Sequence, residues 1–176
     1  MLEPTTPPEH GRKTHIIQLM NANFKLLPEA VAIVGAADKA QILALLAERL
    51  AAAYALDRDE VLEGLEEREK LGSTGFGSGV AIPHARIEGL KHPVAALLKL
   101  ETSVNFDSAD GMPVDLVIGL LSPSNAGVAH LHALAAISRM VRDEATYEAL
   151  TGANDVEALN ALLTNLSGSG IDRDAA

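Results

Sequence analysis

The sequence contains no cysteine and no tryptophan, and aromatic residues make up only 3% of its 176 positions. Without cysteine, disulfide bonds and thiolate metal sites are excluded, and a reducing compartment is permitted. Proteins that bind single-stranded nucleic acid stack bases on aromatic side chains, so that function is poorly supported. The hydrophobic core must instead be built from Leu, Ile, Val and Ala.

Basic residues are also scarce, because 14 Lys and Arg stand against 24 Asp and Glu and give a net charge of −10. A surface of that sign repels phosphate backbones and anionic membranes, so we expect no nucleic-acid partner and instead a protein partner with a basic face. No apolar run approaches the ~18 residues of a membrane-spanning helix, and we expect no membrane insertion. The polar, Pro-rich start lacks the apolar segment of a secretory signal, which predicts a cytoplasmic protein.

Apolar residues nevertheless form 48% of the chain, enough for one well-packed domain. Helical spacing of apolar residues predicts helices over residues 38–53, 58–70 and 127–141 and a last one starting at Asn154, capped with Glu157. The inward stripe of that last helix is predicted to be Val156, Leu159, Leu163 and Leu166. Short apolar runs predict strands over residues 80–83, 94–100 and 114–121, the last one central. Alternating strands and helices predict an α/β fold in which helices cover a sheet.

Glycine residues predict the loops and turns between these elements, and polar composition predicts tails at both ends. Glycines bound a predicted loop over residues 72–79, and Asp110-Gly111 predicts a turn, while the two-residue separations of tight hairpins are not found. Residues 1–13 and 167–176 are polar and predict flexible tails around a single domain over residues 14–166.

One histidine, His84, follows a proline directly in the stretch GVAIPHARIEG. Pro83 fixes its own φ and holds the preceding residue extended, so the imidazole leaves the strand in a defined direction. Ligands of open α/β sheets bind beyond the carboxyl ends of strands. Arg86 follows two residues later, and Ser73 and Thr74 lie in the preceding loop. An imidazole, a guanidinium and hydroxyl groups together suit a phosphoryl group.

A second candidate, His130, opens a predicted helix in the sequence HLH. Its stripe at helical spacing, with Leu134, Ile137 and Val141, is predicted to face the core. A helix N-terminus favours anions and lowers the pKa of an imidazole, so His130 is expected to be neutral and to donate one hydrogen bond. His132, on the side of Ala136 and Arg139, is expected nearer solvent. We interpret three further histidines as surface or packing residues: His10, His15 and His92.

Other patterns have simpler interpretations. The glycine loop lacks both the GxGxxG spacing and the lysine of GxxxxGK[ST], so nucleotide binding by those routes is not supported. The spacing of Asp107, Asp110 and Asp115 does not fit a calcium loop. The glutamates at positions 60, 63, 66, 67 and 69 are interpreted as the solvated face of their helix.

The segment REKLGSTGFGSGVAIPHAR, residues 68–86, resembles the active-site segment of the IIA domain of the bacterial phosphoenolpyruvate-dependent phosphotransferase system. The branch is the fructose/mannitol type (EIIA type-2), and the wording LGSTG is most similar to the free-standing nitrogen-regulatory members. AHLHALAAISRMV and PVDLVIGLLSP are similar to the family's second histidine segment and to the strand before it. The resemblance covers roughly residues 16–163 and implies a mixed central β-sheet flanked by helices on both faces.

The resemblance also implies a function. His84 would accept a phosphoryl group from the histidine phosphocarrier HPr or its nitrogen-branch relative, with supporting roles for Arg68 and His130 and no cofactor. Many members have Gly after the active histidine, whereas this chain has Ala85, which is less free to adopt a positive φ.

Because no IIB or membrane segment is present, a regulator acting on transporters or sensor kinases is expected. The alternatives are a sugar-specific IIA that passes phosphate to a separate IIB and, less favoured, a non-enzymatic module in which His84 and His130 hold a divalent metal.

Overall fold

The computed structural model of the protein describes residues 23–168. The predictions made for residues 1–13 and for His10 and His15 lie outside this range, and the prediction of a C-terminal tail lies mostly outside it. The described strands are β1 (Lys25–Val34), β2 (Gly75–Gly77), β3 (Val80–Ala81), β4 (His84–Ile87), β5 (Val94–Val104) and β6 (Val114–Pro123). The described helices are α1 (Lys39–Tyr54), α2 (Arg58–Lys70), α3 (Gly127–Arg142), α4 (Glu144–Gly152) and α5 (Val156–Gly168).

The strands form one mixed sheet in the order β1-β5-β6-β3-β2, and β4 also pairs with β6. β1 is parallel to β5, β5 is antiparallel to β6, and both β3 and β4 run parallel to β6. The central position predicted for residues 114–121 is therefore confirmed. The α/β class with a mixed sheet is confirmed as well.

β3 and β4 lie along the same edge of β6 as one interrupted strand. Ala81 is opposite Val117, and His84 is opposite Leu120. The interruption falls at Pro83, which has no N–H to donate but whose carbonyl accepts from the Leu120 N–H at 2.9 Å. The proline thus ends one short strand and delivers His84 as the first residue of the next.

Helices pack on both faces of this sheet, as predicted. Gly119 of β6 faces α1 so closely that a Cβ there would lie 2.7 Å from the Leu46 side chain. Ser122, three residues further along the strand, points to the opposite face and contacts His130 of α3. His84 and Arg86 of β4, paired with Leu120 and Ser122, point to this second face, whereas α2 packs on the first face at Ala85.

Aspartate side chains in the sequence determine where three of the helices begin. The Asp38 carboxylate accepts from the N–H of Gln41 at 2.8 Å and begins α1, and Asp57 begins α2 in the same way. α5 begins one residue later than predicted, because the cap is Asp155, whose carboxylate accepts from the Ala158 N–H at 2.7 Å.

Val156, predicted to lie in the inward stripe, is the first residue of α5 and is exposed, whereas Leu159 and Leu163 are buried and Leu166 is partly buried against the core. A second correction concerns Ala136 of α3, which is buried although it was expected near solvent beside His132. Because Ala133 and Ile137 are buried on either side of Ala136, the apolar face of α3 is broader than a single stripe.

Four elements were not predicted, namely β1, β2, β4 and α4, and one prediction was wrong. The loop expected over residues 72–79 contains β2, which pairs with β3 as a tight hairpin. Its two-residue turn is Ser78-Gly79, with φ of 55° and 85°, the left-handed pair that such turns require. β1 carries Pro28 inside an irregular register, which breaks the alternation of a strand. The short helix α4, capped by Asp143, also went unpredicted.

Candidate functional site

His84 is held in one orientation by its own neighbourhood. Its Nδ1 lies 2.8 Å from the carbonyl oxygen of Ile82, two residues earlier in the chain. A carbonyl oxygen can only accept, so Nδ1 carries the proton and the Nε2 of the neutral ring is unprotonated and can accept a hydrogen bond. The backbone on either side of Pro83 therefore selects both the tautomer and the direction of the ring.

Arg68, in the last turn of α2, faces that lone pair. Its Nε donates to Nε2 of His84 at 3.2 Å, and its Nη1 donates to the carbonyl of Gly72 at 2.9 Å. The second bond ties the guanidinium to the chain that leaves α2. Arg68 thus has a fixed position beside the imidazole.

His130 enters from α3 on the other side. The centroids of the two imidazole rings of His84 and His130 are 5.5 Å apart, and the ring planes are tilted by 47°. The Nδ1 of His130 lies 2.7 Å from Oγ of Ser122 on β6, which is fully buried. The sequence prediction that His130 lies on the buried side of its helix, with His132 exposed, is confirmed.

The groups surround an open hollow with a cavity volume of about 780 Å³. Arg68, His84, Arg86 and His130 all line it, Lys70 adds a third cation, and Glu67 adds one carboxylate. Arg86 stands two residues after His84 on β4, so both side chains leave the same face of the strand. The hollow combines an unprotonated nitrogen with several cations, which is an environment for a small anion.

Both imidazoles are kept neutral. Burial lowers the pKa of His84, opposed by its bond to the Ile82 carbonyl and assisted by the charge of Arg68. Burial also lowers the pKa of His130 to about 4, with smaller contributions from His84 and Arg86. Near pH 7 each ring therefore has one protonated and one unprotonated nitrogen.

The hydroxyl groups of Ser73 and Thr74, expected near a phosphoryl group, are not among the groups that line the hollow. The Oγ of Ser73 donates to the carbonyl of Phe106 at 2.8 Å, and Oγ1 of the buried Thr74 donates to Glu69 at 2.5 Å. Both hydroxyls hold the chain between α2 and the hairpin in place. They shape the site without reaching it.

Glu69 is the residue that the sequence interpretation missed. It was placed on the solvated face of α2, but it is buried, accepts from the backbone N–H of Thr74 at 2.9 Å and pairs with Lys39 at 2.7 Å. The signal was present, because Glu69 follows the buried Val61 and Leu65 at spacings of four. An acidic residue at an inward position marks a buried ion pair.

Ala85 needs no unusual backbone conformation. It lies inside β4 and is not among the described non-glycine residues with positive φ. Its methyl group instead packs against α2 at Gly64, where an added Cβ would be 3.2 Å from that of Ala85. Ala85, which the resemblance marked as a departure from the family pattern, therefore packs against a glycine on the facing helix.

Two further observations concern metal binding and membrane insertion. Among residues 23–168 no group of three or more His, Asp or Glu side chains is placed to hold a metal ion. Within the same range, none of the helices has the length and apolar content needed to cross a bilayer.

The fold and the match to a family model together identify the class. Residues 26–166 match the model of the phosphoenolpyruvate-dependent sugar phosphotransferase system, EIIA 2. The chain belongs to this family, whose members are phosphotransfer components. The resemblance expected from the sequence is thus confirmed.

Within the family, the chain is similar to proteins named nitrogen regulatory protein. The one from Pseudomonas aeruginosa is 43% identical over 110 residues, covering 62% of this chain and 71% of that protein. The one from Bradyrhizobium diazoefficiens is 40% identical over 126 residues, covering 72% and 82%. The crystal structure of nitrogen regulatory protein IIA-Ntr from Neisseria meningitidis superposes with a TM-score of 0.72 at 35% identity, covering 79% of this chain and 96% of that one.

Proposed function

We propose that His84 accepts a phosphoryl group on Nε2 from an HPr-like phosphocarrier protein, and that the phosphorylation state then regulates other proteins. The observation that supports this most directly is the hydrogen bond from Nδ1 of His84 to the Ile82 carbonyl. It leaves Nε2 unprotonated and facing Arg68, so the nucleophile is ready without a separate base.

The transfer balances without any proton movement. The Arg68 Nε–H leaves Nε2 and turns to a phosphoryl oxygen. The lone pair of Nε2 then forms the new N–P bond while the N–P bond of the donor phosphohistidine breaks and its electrons return to the donor ring. Catalysis of such a step is mainly a matter of position and charge stabilisation. A cofactor is not required in this proposal, because the donor is already activated.

Three side chains are placed to stabilise the negative charge of the transferred phosphoryl group. Arg68 lies within hydrogen-bonding distance of Nε2, and Arg86 lines the same hollow. His130, neutral and 5.5 Å away between ring centroids, supplies an N–H rather than a charge. We assign these groups to the equatorial oxygens of the phosphoryl group.

Exposed aliphatic side chains lie at and near the hollow, and we call them its rim. Leu71, which lines the hollow, is 84% exposed, and Val128 and Leu131, close to His130 in the sequence of α3, are 68% and 63% exposed. Exposed aliphatic groups around a site mark a protein-binding surface. We assign the rim to the phosphodonor, whose active histidine must enter the hollow.

The regulatory part of the proposal is supported by the relatives, which carry the name nitrogen regulatory protein. Candidate targets are transporters or sensor kinases, and a cytoplasmic location remains a prediction. The alternative, a sugar-specific component that passes phosphate to a IIB protein, is supported by the 34% identity to a fructose-specific EIIA component of Haloferax volcanii.

The test is phosphorylation of the purified chain by phosphoenolpyruvate, the first enzyme of the system and the HPr-like carrier. We expect one phosphohistidine, mapped by mass spectrometry to the peptide that contains His84. His84→Ala should abolish the label, His132→Ala should retain it as the matched exposed control, and Arg68→Ala should slow transfer by about 10²-fold. Label that survives His84→Ala contradicts the proposal.

The same assay distinguishes the regulatory function from the sugar-transport function. Addition of a fructose-type or mannitol-type IIB to the phosphorylated protein should leave the label on His84 if the chain is a regulator. Rapid transfer of the label to IIB favours the sugar-transport function instead.

A further inference from the structure

We propose that Ser122 is a positioning residue that places the proton of His130 on Nε2. The His130 ring then donates a hydrogen bond to the phosphoryl group that the proposed function assigns to His84. The inference rests on that function for its consequence, but the tautomer itself is a property of the unphosphorylated protein. It concerns a serine that the sequence interpretation did not single out.

The first observation is the place of the hydroxyl. Ser122 is fully buried near the end of β6, where its neighbours Leu120 and Leu121 are also fully buried and offer no polar side chain. It stands opposite Arg86 in the register of β4 and β6, two positions after the partner of His84. The hydroxyl is therefore fixed by the sheet, under the ring of His130.

The second observation is the hydrogen bond itself. The Ser122 hydroxyl is hydrogen-bonded to Nδ1 of His130, with 2.7 Å between the oxygen and the nitrogen. If Nδ1 carried the proton, it would donate to Oγ, and the hydroxyl hydrogen would need another acceptor. Leu120 on the same face offers none, and Arg86, opposite Ser122 on β4, is only a donor. If the hydroxyl donates to an unprotonated Nδ1, both groups are satisfied. A buried donor left unpaired costs free energy, so the second arrangement is favoured.

The consequence for the site follows from the neutrality of the ring. A neutral imidazole has one N–H, so an unprotonated Nδ1 requires the proton on Nε2. The edge that carries Nδ1 faces the buried serine, so the edge that carries Nε2 faces the hollow, which His130 lines. The side chain then presents a donor, and not a second lone pair, to incoming phosphoryl oxygens.

The two histidines are thereby set in opposite tautomers by two different partners. The carbonyl of Ile82 holds the proton of His84 on Nδ1, whereas the hydroxyl of Ser122 keeps Nδ1 of His130 unprotonated. One ring offers the nucleophilic nitrogen and its neighbour offers the hydrogen-bond donor. Neither role follows from the identity of histidine alone.

Nitrogen-15 spectroscopy of the uniformly labelled full chain at pH 7 tests the tautomers directly. In the wild type we expect His130 to show a protonated Nε2 and an unprotonated Nδ1, and His84 to show the reverse. A protonated Nδ1 in His130 overturns the proposal without any variant. Ser122→Ala should give His130 a mixture of tautomers and leave His84 unchanged, and Ser122→Thr, which keeps the hydroxyl, should restore the wild-type pattern.

Transfer kinetics test the consequence. Ser122→Ala should slow phosphorylation of His84 by about tenfold, the effect of one hydrogen bond at the transition state. The same change in a His130→Ala background should have no further effect. If the wild type accepts phosphate but Ser122→Ala is equally fast, the positioning role is wrong. If the wild type accepts no phosphate, the proposed function fails while the tautomer result stands.

Discussion

At the scale of single residues, burial of two imidazoles connects the site to the stability of the protein. His130 is 7% exposed, and its pKa in the folded state is about 4, below the ordinary value of 6.5. Between these values the unfolded chain binds the proton and the folded chain does not. The part of the free energy of unfolding that comes from the lowered pKa of His130 is therefore fully present above about pH 6.5 and is lost as the pH falls towards 4. The lowered pKa of His84 acts in the same direction.

We predict that the pH dependence of stability is smaller in His130→Asn. Between pH 7 and pH 5 the wild type should lose about 2 kcal/mol more of its free energy of unfolding than the variant does, because only the wild type must protonate this ring on unfolding. Urea denaturation at the two pH values measures the difference. His132→Asn, an exposed change on the same helix, should keep the wild-type slope, and an equal slope in all three proteins would contradict the assignment.

The residues of the site differ in how far the sequence predicted them. His84 could be found because Pro83 fixes the chain beside it, and His130 because its helical stripe is apolar. The structure brings these two together with Arg68 and Arg86. It does not place the hydroxyls of Ser73 and Thr74 in the site, because they are hydrogen-bonded to Phe106 and Glu69. The sequence could not predict these hydrogen bonds, since such side-chain contacts leave no local pattern.

At the scale of secondary-structure elements, the contact between α2 and β4 decides where Arg68 lies. Gly64 faces Ala85, and an added Cβ would be 3.2 Å from the alanine methyl group and 3.5 Å from Cδ1 of Ile87. Arg68 is one turn after Gly64 on the same side of α2. Any displacement of the helix from the strand therefore moves the guanidinium away from His84.

We predict that the effect of Gly64→Ala changes sign with residue 85. With Ala85 present, the crowded methyl groups should lower the free energy of unfolding by about 1 kcal/mol, since overpacking outweighs the gain in helix propensity. In an Ala85→Gly background the same substitution should raise it by up to about 1 kcal/mol. Denaturant unfolding of the four proteins measures the coupling, and strict additivity would show that the contact has no energetic effect.

The elements themselves were predicted where the signal is local. α2 has the predicted bounds because Asp57 caps it and its apolar residues recur at helical spacing. The β2–β3 hairpin was missed because its strands have three and two residues, too few for an alternating pattern. β1 was missed because its hydrophobic pattern is interrupted at Pro28, while pairing with β5 holds it in the sheet.

At the scale of the whole molecule, the surface around the hollow contrasts with the rest of the chain. The net charge is −10, yet the hollow itself is lined by Arg68, Lys70 and Arg86. Leu71, which also lines the hollow, and Val128 and Leu131, in the first turns of α3, are exposed aliphatic residues. Apolar contact at this rim and attraction at the centre suit the phosphoprotein donor that we propose.

We predict that Leu71→Ser weakens the encounter with the phosphodonor without destabilising the protein. The apparent KM for the HPr-like donor should rise about tenfold through loss of buried apolar area, while the maximal rate stays within twofold. Because Leu71 is already exposed, the free energy of unfolding should change by less than about 0.5 kcal/mol.

Met112→Ser is the matched control for this experiment. Met112 is also an exposed apolar residue, 50% accessible, but it precedes β6 at the end of that strand away from His84. Its replacement should leave the donor KM unchanged. Equal effects of the two substitutions would show that the rim is not the docking surface.

The sequence by itself determined the family, through the resemblance of residues 68–86 and of two later segments. It also determined the main helices, the central strand and the phosphoryl-acceptor candidate, because caps, apolar periodicity and the proline before His84 act over a few residues. Only the tertiary structure decided which polar groups meet. It set Ser122 beneath His130, buried Glu69 against Lys39, and matched Gly64 to Ala85. These contacts join segments distant in sequence, and their geometry exists only once the sheet register and the packing of the helices are fixed.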